Sequence, residues 1–77
     1  MALHSYRSRE HIFAELEAHR RWLAGADDAM PADFSNVSLF GLDLSGRDLR
    51  KCQLSGAGLQ AIRLTGANLE GADLTGA

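Results

Sequence analysis

Large apolar residues recur at every fifth position from residue 32 to residue 77. The nine of them are Phe34, Leu39, Leu44, Leu49, Leu54, Leu59, Leu64, Leu69 and Leu74. A helix returns a side chain to one face after three or four residues and a strand after two, so neither element explains this spacing. The spacing is explained if every five residues form a short extended piece that ends in a corner.

Three further positions of each five-residue unit support this interpretation. Two residues before each large apolar residue lies a second recurring set: Ala32, Val37, Leu42, Arg47, Cys52, Ala57, Ile62, Ala67 and Ala72. The residue between the two is always polar or glycine, which is the alternation of a strand face. In most units, glycine lies two residues after the large apolar residue, and glycine tolerates positive φ. The pattern predicts a coil with two inward side chains per side, a polar exterior and turns that pair by backbone hydrogen bonds.

The units Ala67–Gly71 and Ala72–Gly76 resemble the pentapeptide-repeat family, whose unit is A-(D/N)-L-X-X. The resemblance covers residues 32–77. It implies an all-β solenoid, a right-handed quadrilateral β-helix in which four pentapeptides make one coil, so that the nine repeats form about two coils. On this reading Phe34, Leu54 and Leu74 stack on one side.

The N-terminal part of the chain has the pattern of an amphipathic helix from about Ser8 to Ala24. Its apolar residues lie on one stripe and are Ile12, Phe13, Leu16 and Leu23. Ser8 is the expected N-cap and Gly25 the expected stop, and Glu17 and Arg21 have the spacing of a favourable ion pair. We therefore divide the chain into an N-terminal helix with its linker, residues 1–31, and the repeats, residues 32–77.

An amphipathic helix must cover an apolar surface, and the open end of the coil is the obvious one. We expect Trp22 and Leu23, together with Met30 and Phe34, to make this contact. The segment His19–Leu23 also resembles the helical lead-in of many pentapeptide-repeat proteins, which implies a cap or a tether. Met1 to Arg7 lacks periodicity and is expected to be frayed or used in a contact.

Arg47 is the clear violation of the repeat, because it occupies an inward position. A charge inside a narrow apolar coil is costly unless it is paired. Either the corner is distorted and the guanidinium reaches solvent past Ala67, or the side chain contacts a partner or pairs with Asp43 or Asp48. Arg50 and Lys51 follow it, so the three form a local basic cluster that is either a solvated corner or a contact surface.

Composition places the chain among small single domains. With 77 residues, one core rarely supplies more than ~3–5 kcal/mol, which favours oligomerisation or a partner. The net charge of −2 does not indicate nucleic-acid binding, and no stretch has the length of a membrane span or the apolar run of a signal peptide. Cys52 is the single cysteine and occupies an inward position, so we expect it to be a buried, small apolar residue. One unpaired cysteine is consistent with a reducing cytoplasm.

Catalytic and metal-binding chemistry is not indicated by the sequence. The histidines are His4, His11 and His19, and none has an acid or cysteine at ligand spacing. The glycines recur because corners recur, so they do not form a phosphate-binding loop. We expect no catalytic residue, no metal and no cofactor.

The sequence ends at the first position of a further repeat, which would leave an apolar end around Leu74. End-to-end dimerisation, docking on another protein and a longer parent chain each account for it.

The favoured function is a non-enzymatic structural or protein–protein interaction module, acting in a homo-oligomer or as a subunit of a larger assembly. The candidate interaction residues are Phe13, Leu16, Trp22, Leu23, Arg47, Arg50, Lys51 and Leu74. The alternative rests on the resemblance, because some family members mimic duplex DNA and protect DNA gyrase from quinolones. That role implies a long acidic rod, whereas residues 32–77 hold five acids against four bases.

Overall fold

One helix, α1, precedes the repeats in the computed structural model, which describes residues 5–77. It spans Arg9–Leu23, and the side chain of Ser8 accepts a hydrogen bond from the His11 N–H at 3.1 Å. The chain leaves α1 through Gly25, whose φ of 94° is available to glycine at little cost. The predicted helix, its N-cap and its stop are therefore confirmed.

The ion pairs on α1 differ from the predicted one. Glu17 pairs with Arg20, one turn away, and Arg21 pairs with Asp28 beyond the end of the helix at 2.7 Å. The predicted pair of Glu17 with Arg21 is wrong, because each of these residues pairs with a different one.

The repeats pair with each other twenty residues apart. Five parallel bridges join Asp33 to Gln53, Ser38 to Gly58, Asp43 to Arg63, Asp48 to Asn68 and Gln53 to Asp73. Four pentapeptides therefore complete one turn of the chain. We call residues 32–51 the first coil and residues 52–71 the second coil; a third begins at residue 72.

The pairing consists of single bridges, and the described residues contain no longer strand. The predicted solenoid is thus supported in its repeat, its inward and outward positions and its twenty-residue register. The finer description, a right-handed quadrilateral β-helix, is taken up below as a proposal.

Each pentapeptide ends in a hydrogen-bonded corner. The N–H of the residue that opens the next unit donates to the carbonyl of the central apolar residue, as from Val37 to Phe34 at 3.0 Å. The corner residue between them has φ between 59° and 73° in all nine units, as a type II turn requires. Six corner residues are glycine, and the others are Asn36, Lys51 and Ala61. The predicted corners are confirmed.

The outward aspartates and asparagine hold the corners from outside. The side-chain oxygen of Asp43 accepts the Ser45 N–H at 3.0 Å, and that of Asn68 accepts the Glu70 N–H at 3.0 Å. Asp33, Asp48 and Asp73 make the same contact to the residue two positions later. This Asx turn explains why the repeat unit prefers aspartate or asparagine at this position.

The core lies between α1 and the first coil. Phe34, Leu39, Leu44 and Leu49 are each at most 2% exposed, and Ile12 and Leu16 of α1 pack against them. Burial falls after the first coil: Leu59, Leu64 and Leu69 of the second coil are partly exposed, and Leu74, in the third coil, is 42% exposed. Phe34 packs in the core as predicted, whereas Met30 is 76% exposed, so its predicted packing role is wrong.

Candidate functional site

His19 connects α1 to the first coil through both ring nitrogens. Its side chain is fully buried. Nδ1 accepts the backbone N–H of Ala32 at 2.9 Å, and Nε2 lies 2.8 Å from the carbonyl oxygen of Arg50. Because Nδ1 is the acceptor, Nε2 carries the proton and donates to Arg50.

These two bonds replace bonds that a preceding coil would make. In the second coil, the carbonyl of Glu70 accepts the Lys51 N–H at 3.0 Å. The residue twenty positions before Lys51 is Pro31, which has no N–H to give to Arg50. The imidazole of His19 supplies that donor, so the buried polar groups at this edge are satisfied.

The segment before α1 completes two other positions of the same edge. Ser5 forms a parallel bridge with Val37; its N–H donates to the Asn36 carbonyl at 2.7 Å, and its carbonyl accepts the Ser38 N–H at 2.8 Å. Nη1 of Arg7 donates to the Asp33 carbonyl at 3.0 Å. The predicted use of this segment in a contact is confirmed for Ser5 and Arg7, whereas Met1 to His4 lie outside the described residues.

Arg7 is itself held in place by two neighbours. Its Nη1 donates to both carboxylate oxygens of Glu15 on α1, at 2.7 and 2.8 Å, and its guanidinium lies 5.7 Å from the centroid of the Phe34 ring. The backbone of Ser5, the guanidinium of Arg7 and the imidazole of His19 thus form hydrogen bonds with backbone groups at the N-terminal edge of the coil.

The helix residues predicted to interact with a partner differ in how deeply they are buried. Leu16 is 4% exposed and belongs to the core. Phe13 is half-buried against that core, and Trp22 is half-buried with its ring centroid 5.6 Å from that of His19. Leu23 is also half-buried. Phe13, Trp22 and Leu23 therefore retain surface, and Leu16 does not.

Arg47 turns towards α1, and its guanidinium lies 4.9 Å from the centroid of the Phe13 ring. The corner at Gly46 is regular, with φ of 73° and the usual bond from the Arg47 N–H to the Leu44 carbonyl at 3.2 Å. The distorted corner predicted for this position is therefore wrong. An inward arginine fits here because it lies in the first coil, next to an aromatic ring of the helix.

The basic residues that follow Arg47 have other neighbours. Arg50 forms a two-bond pair with Asp48 at 2.7 and 2.8 Å, which leaves no carboxylate oxygen of Asp48 without a partner. Lys51 is exposed at a corner with φ of 62°. Arg47 and Arg50 thus contact different residues, although they are close to each other and to Lys51 in the sequence.

Cys52 lies inward as predicted. It is fully buried, its Sγ is 3.9 Å from the Ala32 carbonyl oxygen, and burial raises the pKa of its thiol to about 12. The thiolate is the nucleophilic form, so this cysteine is inert near neutral pH.

The described residues contain no group of three or more histidine, cysteine or acidic side chains arranged to hold a metal ion. Over the same residues, no helix has the length and hydropathy that a bilayer crossing requires.

Sequence reasoning missed His19, Ser5 and Arg7. One signal was available for His19, since it follows Ile12 and Leu16 at positions i+7 and i+3 and therefore lies on the buried stripe of α1. A histidine on such a stripe needs hydrogen-bond partners, and the carbonyl groups of an open coil edge are candidates. Ser5 and Arg7 gave no pattern to read.

A family model described as pentapeptide repeats (8 copies) matches residues 52–77. Residues 52–77 therefore have the sequence of pentapeptide repeats, and the same corners and register continue back to residue 32. The comparison with curated proteins found no significant match, and neither did the comparison with solved structures.

Proposed function

We propose that this chain is a non-enzymatic protein-interaction module, built as a rigid right-handed quadrilateral β-helix whose N-terminal end is partly covered by residues 5–31. Pentapeptide-repeat proteins are generally structural modules, and the family suggests an interaction or scaffold role. The observation that carries the proposal is the uniform corner: nine left-handed corner residues and a constant twenty-residue register. Such a backbone keeps its outward side chains at fixed positions, as a binding surface requires.

Two observations support the absence of an enzymatic role. Cys52 carries a thiol and His19 an imidazole, groups that often act in catalysis, and both side chains are fully buried. His19 uses both ring nitrogens in backbone hydrogen bonds. Neither group has access to a substrate. The single free cysteine is also the support for a reducing cytoplasm as the compartment.

The assembly state is the direct test of the proposal. Leu59, Leu64 and Leu69 of the second coil and Leu74 of the third form an apolar surface, and we propose that it is covered in a homo-oligomer or in a larger assembly. Sedimentation equilibrium at micromolar concentration is expected to give a multiple of 8.3 kDa. A folded monomer at high micromolar concentration contradicts self-association and leaves the larger assembly.

The DNA-mimic alternative has weaker support. Residues 32–77 carry five acids and four bases, and Asp48 is already neutralised by Arg50. We therefore expect no change in the supercoiling activity of DNA gyrase, with or without a quinolone, when this protein is added. Protection of the gyrase reaction would establish the alternative instead.

A further inference from the structure

The third side of the first coil, residues 42–46, has backbone groups without a partner among residues 5–77. These groups are the Asp43 N–H and the carbonyls of Asp43 and Ser45, and we call them the open rim. Their counterparts one coil later are all bonded. The Arg63 N–H donates to Leu42 at 2.9 Å, the Arg63 carbonyl accepts from Leu44 at 2.8 Å, and the Thr65 carbonyl accepts from Gly46 at 2.9 Å.

The neighbouring sides of the same edge are covered by the chain itself. Arg7 bonds to the first side, residues 32–36, and Ser5 pairs with the second, residues 37–41. His19 bonds to the fourth side, residues 47–51. The pairing of Ser5 with Val37 is parallel, like every other bridge among residues 5–77. This edge therefore accepts extended chain in the parallel direction, and the open rim continues the part that Ser5 occupies.

Two shallow cavities lie between α1 and the third side. One of about 200 Å³ is lined by Ile12, Phe40 and Leu42, among others. The other, of about 400 Å³, is lined by Leu16, Ser45 and Leu49 and also by the charged residues Arg20, Arg47 and Asp48. They lie at the two ends of the open rim. Beside the smaller cavity, Phe40 is 64% exposed and Tyr6 is 79% exposed, which adds an aromatic surface.

We propose that the open rim binds an extended segment of a partner protein with the pattern apolar–basic–apolar, added parallel to Leu42–Ser45. Unpaired N–H and carbonyl groups at an edge are a template for strand addition. This inference rests on the proposed interaction function and names the surface and the class of its partner.

The geometry of the second coil specifies the side chains of the segment. In the added segment, the residue opposite Asp43 would point outward. Arg63 of the second coil, which is bridged to Asp43, occupies the same kind of position. An acidic residue there would face the carboxylate of Asp43, whereas a basic one would pair with it. The residues on either side point inward, one towards each cavity, because side chains alternate along an extended segment.

The test uses the full chain and a peptide that copies the second coil. The probe is the N-acetylated, C-amidated hexapeptide Ala-Ile-Arg-Leu-Thr-Gly, the sequence of residues 61–66. Nitrogen-15 NMR titration is expected to shift the Asp43 amide, to slow its hydrogen exchange, and to give saturation with a Kd of about 1 mM or tighter.

Matched controls separate strand addition from other binding. N-methylation of the peptide leucine removes the N–H that would donate to the Asp43 carbonyl, and we expect at least about tenfold weaker binding. Replacing the peptide arginine by glutamate should have a similar effect on the wild-type protein. The variant Asp43→Asn keeps an acceptor for the Ser45 N–H, so it should fold normally and discriminate less between the two peptides.

Several results would overturn the proposal. They are equal affinity for the N-methylated peptide, shifts centred on Leu59–Leu74, and no binding at several millimolar peptide. An Asp43 amide already protected in the free protein would also overturn it, because another part of the chain or a second copy then occupies the open rim. A mass that is a multiple of 8.3 kDa together with any of these results leaves the interaction function standing.

Discussion

Corner residues of the coil have nearly the same φ, between 59° and 73°, but different surroundings. Asn36 lies one coil before Gly56, and a Cβ added at Gly56 would overlap its side-chain oxygen. At Gly66, with φ of 72°, nothing lies within 4 Å of an added Cβ. Comparing Gly56 with Gly66 therefore separates the free-energy cost of a left-handed backbone from the cost of steric overlap between coils.

Alanine at these two glycines is expected to destabilise the protein unequally. Gly66→Ala carries only the cost of left-handed backbone, ~1–2 kcal/mol. Gly56→Ala carries that cost and the displacement of Asn36, so its free energy of unfolding in urea should be lower still. In the double variant Asn36→Gly with Gly56→Ala, the additional loss should disappear. Equal stability of the two single variants would show that Asn36 rotates away freely.

The Asx turns make stability depend on acidity. The hydroxyl groups of Ser35, Ser45 and Thr75, followed by their backbone N–H groups, lower the pKa of Asp33, Asp43 and Asp73 respectively. A lowered pKa in the folded state stabilises the protein above the unfolded value of about 3.9, and this contribution is lost as the pH falls further.

The expected result is a fall in melting temperature as the pH drops below about 4. The triple variant Asp33→Asn, Asp43→Asn and Asp73→Asn keeps the acceptor oxygens, as Asn68 does in its bond to Glu70. Its melting temperature should therefore depend less on pH over the same range. Parallel curves for the two proteins would show that other carboxyl groups cause the acid sensitivity.

Helix α1 makes both apolar contacts and hydrogen bonds to the backbone that a preceding coil would otherwise make. It brings Ile12 and Leu16 over the leucines of the first coil and His19 to two backbone groups at the edge. Apolar contact and edge bonding therefore come from one face of one element.

Removing the imidazole of His19 is expected to lower the free energy of unfolding, because its two hydrogen bonds to the coil edge are lost. His19→Phe keeps an aromatic ring beside Trp22 but leaves the Ala32 N–H and the Arg50 carbonyl without partners. Each unsatisfied group costs ~1–3 kcal/mol, so urea unfolding should show a loss of about 2 kcal/mol or more, and the Ala32 amide should exchange faster.

The control for this substitution is on the same helix. The side chain of His11 is 61% exposed, so His11→Phe should change stability by no more than about 0.5 kcal/mol. A comparable loss in both variants would mean that phenylalanine itself, rather than the missing bonds, disturbs α1.

The elements differ in how far the sequence determines them. Period five predicted the corners and the inward leucines, because each unit repeats the same local chemistry, and Ser8 and Gly25 marked the ends of α1. The contacts of His19, Ser5 and Arg7 depend on which residues meet across 13 to 33 positions, and local patterns do not encode that. Arg47 was recognised as exceptional, but its neighbour Phe13 lies on another element.

At the scale of the molecule, α1 and the coils share one core. Ile12, Leu16 and the leucines of the first coil form a single cluster, and the second coil packs against it. We therefore expect one cooperative unfolding transition. Fluorescence of Trp22 reports on α1, and the NMR signal of the Leu49 amide, bonded to Asn68 at 2.8 Å, reports on the coils.

Both signals are expected to change at the same urea concentration. Loss of the Trp22 signal at clearly lower urea, while the Leu49 amide remains protected, would show that the coils stand without the helix.

Pairing between residues twenty apart also determines how a chain of this kind can vary in length. Four pentapeptides inserted between residues 51 and 52 would return every later side chain to its own column. One inserted pentapeptide would turn everything after it by a side, so that Asn36 would no longer lie over Gly56. Growth therefore proceeds in whole turns, and the hydrogen bonds of His19 are the same whatever the final height.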